Sequence, residues 1–169
     1  MANAPFEFDE PLPTLDGRAW AFGFELTPRQ ILASEHALLD PQHACSHLFE
    51  GLDPSLAGRL LADDIIVAEE MVGVLTETRP ALAALAAAGV TALVARRFSP
   101  AFLQAAAELA MPTLVLDAPS FIHTDDRLRL DLDAGKVVNL SSGDRAPIRN
   151  LDDSDRARWR IASARRVPR

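Results

Sequence analysis

Short β-branched runs alternate along the chain with stretches rich in alanine and leucine. The apolar runs at residues 65–68, 91–95 and 113–116 have the length and composition of buried strands. The stretches at 81–88 and 100–109 are good helix formers, and each follows one of these runs. Because strands and helices succeed one another, the pattern predicts an α/β fold with a parallel sheet.

Beyond residue 126 the pattern changes to a period of two. Apolar and polar residues alternate at 127–132, and a second short run follows at 137–140. Turn residues at 133–136 and 142–144 separate the runs. This arrangement predicts a C-terminal antiparallel meander, so that the sheet as a whole is mixed.

The first part of the chain is predicted to hold an arm, a strand and short helices. Residues 1–16 contain three prolines and are interpreted as an extended N-terminal arm. Residues 18–24 alternate in bulk and predict the first strand. Three short helices are then predicted, one from Pro28, one over 41–49 and one over 55–61, capped by Thr27, Asp40 and Asp53.

Length and charge limit the possible functions. A chain of 169 residues fits one domain, predicted at 17–150, followed by an arginine-rich tail at 151–169. A net charge of −7 argues against nucleic acid or an anionic membrane as partner. No apolar run reaches the roughly 20 residues that span a bilayer. The N-terminus lacks the basic start and apolar core of a secretory signal, so we expect a cytoplasmic protein.

Cys45 is the single cysteine, which excludes an internal disulfide. It also excludes an iron–sulfur cluster held by this chain alone, because such clusters normally need three or four thiolates. His43 and His47 flank Cys45, with His36 nearby. On a helix Cys45 would point away from these two histidines, and the sequence offers no further ligands nearby, so no metal site is predicted.

The segment at 73–79, between the strand at 65–68 and the helix at 81–88, contains the candidate chemistry. We call it the central turn. Thr76 or Thr78 is expected to cap the helix, and Pro80 fits a first helical turn. A helix N-terminus just after a strand offers free N–H groups and a favourable dipole to an anion. The alternative is a capped strand–helix connection that binds nothing.

Several segments together resemble the small subunit of 3-isopropylmalate dehydratase, the swivelling domain of the aconitase superfamily. The resemblance covers roughly residues 17–148 and rests on short identical or similar stretches. They are Trp-Ala-Phe-Gly at 20–23, His-Leu-Phe-Glu-Gly-Leu-Asp-Pro at 47–54, Asp-Ile-Ile-Val-Ala at 64–68, Ala-Gly-Val at 88–90, Phe-Ser-Pro-Ala-Phe at 98–102, and the hairpin segments at 131–136 and 139–143. The resemblance implies a swivelling β/β/α domain, a mixed sheet with helices on one side and the meander closing a barrel-like core.

The resemblance also implies a partner and a site. Small subunits of this family dock on a large subunit that carries a 4Fe–4S cluster and close its substrate pocket. They contribute a turn reading Gly-Cys-Gly-Ser-Ser-Arg-Glu, in which the first serine acts as base and the arginine holds a substrate carboxylate. Here the turn reads Gly-Val-Leu-Thr-Glu-Thr-Arg. The implied catalytic residues are Thr76 and Glu77, and the implied substrate-binding residues are Gly73, Thr78, Arg79 and Arg29.

Two other family signatures also differ. The Asp-Asn-Ile-Asp-Thr-Asp segment after the first strand is Phe-Glu-Leu-Thr-Pro-Arg at 24–29, and an Arg-Asn pair in the later helix is Gln104-Ala105. Three interpretations follow. In the first, the chain is a diverged small subunit of a hydro-lyase or isomerase, with an iron–sulfur partner and a substrate other than isopropylmalate. In the second, it is a non-catalytic binding or regulatory paralogue. In the third, it is a stand-alone enzyme that uses Glu77 with Arg79.

Overall fold

The computed structural model describes residues 11–165, with side chains through Arg160. Residues 1–10 of the predicted N-terminal arm and residues 166–169 of the predicted tail lie outside this range. No helix within the described range is long and apolar enough to cross a bilayer.

Between residues 11 and 165, eight strands form one mixed sheet. They are β1 (Thr14–Leu26), β2 (Ile65–Met71), β3 (Ala92–Ala95), β4 (Arg97–Phe98), β5 (Thr113–Val115), β6 (Arg127–Asp131), β7 (Lys136–Asn139) and β8 (Arg145–Pro147). The strand order is β5-β3-β2-β1-β6-β7-β8, and β4 extends the sheet beside the end of β2. The three central strands predicted from the sequence pair in parallel, and β6, β7 and β8 form the predicted antiparallel meander.

The long first strand joins the two halves of the sheet. Its first part, from Thr14 to Arg18, pairs antiparallel with β6, and its second part pairs parallel with β2. The sequence predicted this strand only over residues 18–24. The extra residues 14–16, which were assigned to the arm, alternate polar and apolar and find a partner in β6. That partner is distant in sequence, so the local pattern did not reveal it.

Helices cover one face of the central strands. They are α1 (Pro28–Ile31), α2 (Pro41–Ala44), α3 (Leu75–Ala87) and α4 (Pro100–Glu108), and a fifth helix, α5 (Asp153–Arg165), follows the meander. Side chains alternate along β2, so that Ile66 and Ala68 pack with α3 and α4. Ile65 and Val67 pack on the other face with the meander and with Trp159 of α5.

Two of the predicted short helices differ from the structure. The helix expected over 41–49 ends at Ala44 and continues as a 3₁₀ helix, Cys45–His47. Leu48 is extended and the buried Phe49 takes a left-handed φ of 58°, so the segment cannot stay helical to residue 49. Residues 55–61 form only a 3₁₀ helix at Ala57–Arg59. The Asp53 side chain accepts hydrogen bonds from the backbone and hydroxyl of Ser55, a turn that competes with helix formation.

A buried carboxylate fixes the start of β2. Asp64 is 2% exposed, and its Oδ2 accepts hydrogen bonds from Nε1 of Trp20 at 2.7 Å and from the backbone N–H of Leu61 at 2.8 Å. The guanidinium of Arg18 lies 3.0 Å from the same oxygen and also stacks on the Trp20 ring. This network joins β1 to β2 at the end of the sheet opposite the central turn.

Candidate functional site

The central turn lies where β2 ends and α3 begins. Residues 72–74 connect the two elements, and β4 runs parallel to the end of β2. Ser99 follows β4, and its backbone N–H donates to the carbonyl of Met71 at 2.8 Å. Its hydroxyl accepts from the N–H of Gly73 at 3.2 Å and lies 3.3 Å from the Gly73 carbonyl. The turn is thus fixed by contacts with the next strand unit.

Gly73 is required for close packing. A Cβ at this position would lie 2.3 Å from Cγ of Pro28 and 3.2 Å from Oγ1 of Thr78. The N–H of Val72 donates to the carbonyl of Leu26 at 3.1 Å, which brings α1 against the turn. Gly73, predicted as a substrate-binding residue, therefore has a packing role in this structure.

The helix begins earlier than the sequence predicted. Leu75 is its first residue and Val74 its N-cap, so neither Thr76 nor Thr78 caps it. Pro80 is the sixth residue of the helix. It has no N–H to donate to the carbonyl of Thr76, a loss that is tolerable this close to the helix start. The backbone N–H groups of Glu77 and Thr78 both donate to the carbonyl of Val74, which closes the first turn.

Thr78 points into the protein. It is fully buried, and its hydroxyl donates to the Val74 carbonyl at 2.7 Å. Thr76, two residues earlier, is exposed, and its hydroxyl makes no hydrogen bond to another described residue. Of the two threonines proposed for the site, only Thr76 offers its hydroxyl to the solvent side of the turn.

Glu77 and Arg29 form an ion pair at the head of α3. Oε1 of Glu77 lies 2.9 Å from Nε and 2.8 Å from an Nη of Arg29, which belongs to α1. Glu77 is 33% exposed and Arg29 is 70% exposed. The structure therefore brings together two residues that are 48 positions apart. A substrate carboxylate approaching this point meets a guanidinium that already has a carboxylate partner.

Arg79 points away from the central turn. Its guanidinium binds Glu108 of α4 through two hydrogen bonds, at 2.8 and 3.0 Å. These bonds raise the pKa of Arg79 and lower the pKa of Glu108 below its usual value. Arg79, implied as a substrate-binding residue, therefore has its guanidinium engaged by a carboxylate of the next helix in this structure.

Sequence comparison places the chain among known proteins. The small subunit 1 of 3-isopropylmalate dehydratase from Methanopyrus kandleri is 31% identical over 139 residues, which cover 81% of this chain and 82% of that protein. A second small subunit, from Archaeoglobus fulgidus, is 33% identical over 129 residues, 75% of this chain and 78% of the relative. No family model matches the chain. The chain belongs to the 3-isopropylmalate dehydratase small-subunit family.

Two solved structures have the same fold as this chain. The 3-isopropylmalate dehydratase structure from Methanocaldococcus jannaschii superimposes with a TM-score of 0.77 at 19% identity, covering 92% of this chain and all of that one. Aconitase X from Thermococcus kodakaraensis gives a TM-score of 0.52 at 15% identity over 83% of this chain. The swivelling β/β/α fold expected from the resemblance is confirmed.

In this family member a second group of charges lies just before the central turn. Arg96, after β3, lies 2.9 Å from a carboxylate oxygen of Glu69 and 3.1 Å from one of Glu70 at the end of β2. Arg97 lies 3.6 Å from the same Glu70 oxygen. Sequence reasoning missed this group. The signal was present, because acids and arginines that end neighbouring parallel strands must meet at one edge of the sheet.

The arginines around the central turn are paired with carboxylates. Arg29, Arg96 and Arg97 pair with Glu77, Glu69 and Glu70, so each of the three arginines has at least one carboxylate partner. Electrostatic attraction for a multiply charged anion is weak where every guanidinium already has a carboxylate neighbour.

Proposed function

We propose that this chain is the small subunit of a heteromeric aconitase-like hydro-lyase or isomerase. It docks on a large subunit that carries the 4Fe–4S cluster and closes the substrate pocket at the central turn. Family membership supports this assignment, because the relatives are small subunits of a dehydratase. The chain's single thiol, Cys45, donates to the carbonyl of Gln42 and does not suit a cluster of its own. The predicted cytoplasmic location is retained as part of this proposal.

The substrate is proposed to differ from isopropylmalate. The observation that carries this is the ion pair of Glu77 with Arg29 at the head of α3. The family turn has an arginine at the position of Thr78, and here that side chain is buried and uncharged. Arg79, the next cation, is bound to Glu108. The helix head therefore favours a substrate with fewer negative charges, or one whose carboxylates bind the partner subunit.

Thr76 is the proposed proton acceptor on this chain. It occupies the position of the family's catalytic serine, and its hydroxyl is exposed and without a hydrogen-bond partner among the described residues. The partner's cluster supplies a Lewis acid for the hydroxyl group that leaves the substrate. Glu77, the next residue in the chain and held by Arg29, is the candidate base that takes the Thr76 hydroxyl proton as the Thr76 oxygen accepts the proton from the substrate, and that then passes it to solvent.

The stand-alone enzyme that pairs Glu77 with Arg79 receives no support from the geometry. Each of these residues has a different partner, Arg29 for one and Glu108 for the other. A non-catalytic paralogue is the second candidate. The closed Arg29–Glu77 pair favours it, because Glu77 already neutralises the exposed cation at the head of α3.

Reconstitution with a large subunit tests the proposal. The chain is purified together with a family large subunit encoded in the same genome, and the cluster is restored anaerobically. Dehydration of 2-hydroxy mono- and dicarboxylates is monitored by the ultraviolet absorbance of the double bond that forms in the product. We expect a stable complex that is active only when both subunits are present. Thr76→Ala should lose this activity. Thr14→Ala, which changes an exposed threonine of β1, is the control and should keep it.

Four results would contradict parts of this proposal. Failure of the chain to form a complex with the large subunit removes the subunit assignment, as does binding of three or more irons by the chain alone. Isopropylmalate turning over as fast as any other substrate removes the altered specificity. A complex that is inactive with every substrate supports the non-catalytic paralogue.

A further inference from the structure

Two histidines and a glutamate form a cluster between β1 and β2, apart from the central turn. One ring nitrogen of His36, one of His47 and a carboxylate oxygen of Glu50 all lie within 4.8 Å of one another. Nε2 of His36 is 3.1 Å and Nδ1 of His47 is 3.3 Å from the same oxygen, Oε2 of Glu50. Two imidazole nitrogens thus approach one carboxylate oxygen.

The backbone explains why these three side chains meet. His47 ends the 3₁₀ helix Cys45–His47, and the turn that follows it brings the carboxylate of Glu50 back to within 3.3 Å of the His47 ring. His36 ends the 3₁₀ helix Ser34–His36. The backbone N–H of Phe49 donates to the carbonyl of Ile31 at 2.8 Å, which holds the two segments together.

The distances suit a small divalent ion. Zinc binds histidine nitrogen and carboxylate oxygen at about 2.0–2.2 Å, so two ligand atoms of a tetrahedral site lie about 3.3 Å apart. Both nitrogen–oxygen distances in the cluster are close to this value. We propose that His36, His47 and Glu50 bind one divalent transition-metal ion of the zinc type.

A fourth coordination position is available next to His36. Oε1 of Glu35 lies 3.5 Å from Nε2 of His36 and is 76% exposed, so either this carboxylate or a water completes the site. Two histidines, one carboxylate and an open position form a ligand set that zinc commonly adopts in proteins.

Metal binding requires one ring to rotate. The His36 and His47 rings are stacked, with centroids 3.8 Å apart and an angle of 12° between their planes. A metal lies near the plane of each imidazole that binds it, so two parallel rings cannot both bind one ion in this arrangement. His47 is one-third exposed, and its ring must turn about the Cβ–Cγ bond, out of the stack with His36, for Nδ1 to face the metal. Without metal, the rings are held by hydrogen bonds to Glu50.

The site would strengthen a region of little regular structure. Between β1 and β2 the elements are helices of three or four residues. A metal ion bound by residues 36, 47 and 50 links two segments of this region. Because the ligands come together only in the folded form, the binding free energy of the metal stabilises that form. The same segment continues from α1, which carries Arg29.

Calorimetric titration of the full, metal-free chain with Zn²⁺ tests the proposal. We expect one Zn²⁺ per chain, and binding at least about tenfold weaker in His36→Gln and in Glu50→Gln. His43→Gln is the matched control, because His43 pairs only with Asp40 and lies outside the cluster. Bound Co²⁺ should give the visible bands of a four-coordinate site in the wild type and in the control, and lose them in the two cluster variants.

Thermal unfolding provides a second measurement. Zn²⁺ at about 100 times its dissociation constant should raise the melting temperature by about 5 °C or more in the wild type and in His43→Gln. Absence of one-to-one binding in the wild type overturns the proposal, and the cluster is then a hydrogen-bonded trio. Equal loss of binding in His43→Gln, or unchanged binding in both cluster variants, overturns it as well.

Discussion

Replacing Glu77 with glutamine should open the anion-binding end of α3. The glutamine has nearly the same shape, so the packing of the turn is retained while the negative charge is removed. Arg29, 70% exposed and now without its carboxylate partner, can bind a ligand carboxylate beside the free N–H groups at the start of α3. Thr78→Arg, which the family turn suggests, would force a guanidinium into a fully buried position and is the less informative change.

The expected gain follows from the exposure of the pair. Two opposite charges 4 Å apart near a protein surface attract by about 4 kcal/mol, but water and salt reduce the net value for exposed pairs to about 1 kcal/mol or less. A charge-assisted hydrogen bond from Arg29 to a ligand contributes about 1.5–3 kcal/mol when it is shielded from water. For a largely exposed guanidinium we expect about 1–2 kcal/mol, or a five- to thirtyfold increase in affinity for a small dicarboxylate.

Calorimetric titration with malate and isopropylmalate measures this gain. The wild type, Glu77→Gln, and Glu77→Gln combined with Arg29→Gln are compared under identical salt. Asp117→Asn is the control. It removes the carboxylate partner of Arg149, an exposed arginine whose ion pair is far from the central turn in sequence. Equal affinity in the wild type and Glu77→Gln would refute the reasoning. So would a gain that survives loss of Arg29, or one that Asp117→Asn reproduces.

Two predictions concern stability. Asp64→Ala removes a carboxylate that holds Trp20 and Arg18 in a buried network, and urea unfolding should show a loss of about 3–5 kcal/mol; a loss no larger than that of Asp117→Ala would contradict this role. The backbone N–H of His123 and the side-chain amide of Asn139 donate to Asp126, and they keep its pKa below the usual 3.8. This stabilisation is complete above the pKa of the unfolded state and disappears as the pH falls through the lowered pKa. The stability of Asp126→Asn should therefore depend less on pH below about pH 4 than that of the wild type, and parallel acid unfolding curves would exclude the effect.

Local patterns in the sequence determined most of the fold. The β-branched runs at 65–68, 91–95 and 113–116 became neighbouring parallel strands, since apolar segments of this length have few ways to be buried. The period-two run at 127–132 became the first strand of the meander for the same reason. Segments whose partners are distant were underestimated, as the longer β1 shows.

The position of the central turn between strand and helix was also predictable, but its side-chain partners were not. A helical wheel places Arg79 about 100° from Thr78, yet only the packing of α4 against α3 decides that Glu108 binds it. The cap residues were misassigned for a related reason. Thr78 is the side chain that the fold buries, so its hydroxyl bonds back to Val74 within the helix.

Sequence by itself determined the family, the order of elements and the residue types at the helix head. Tertiary structure decided that Glu77 is paired with Arg29, that Gly73 accommodates Pro28, and that His36 meets His47 and Glu50. Hydrophobic periodicity is a local property and can be read along the chain. Pairing between charged or metal-binding side chains depends on distances of a few ångströms between segments far apart in sequence, and the fold alone sets those distances.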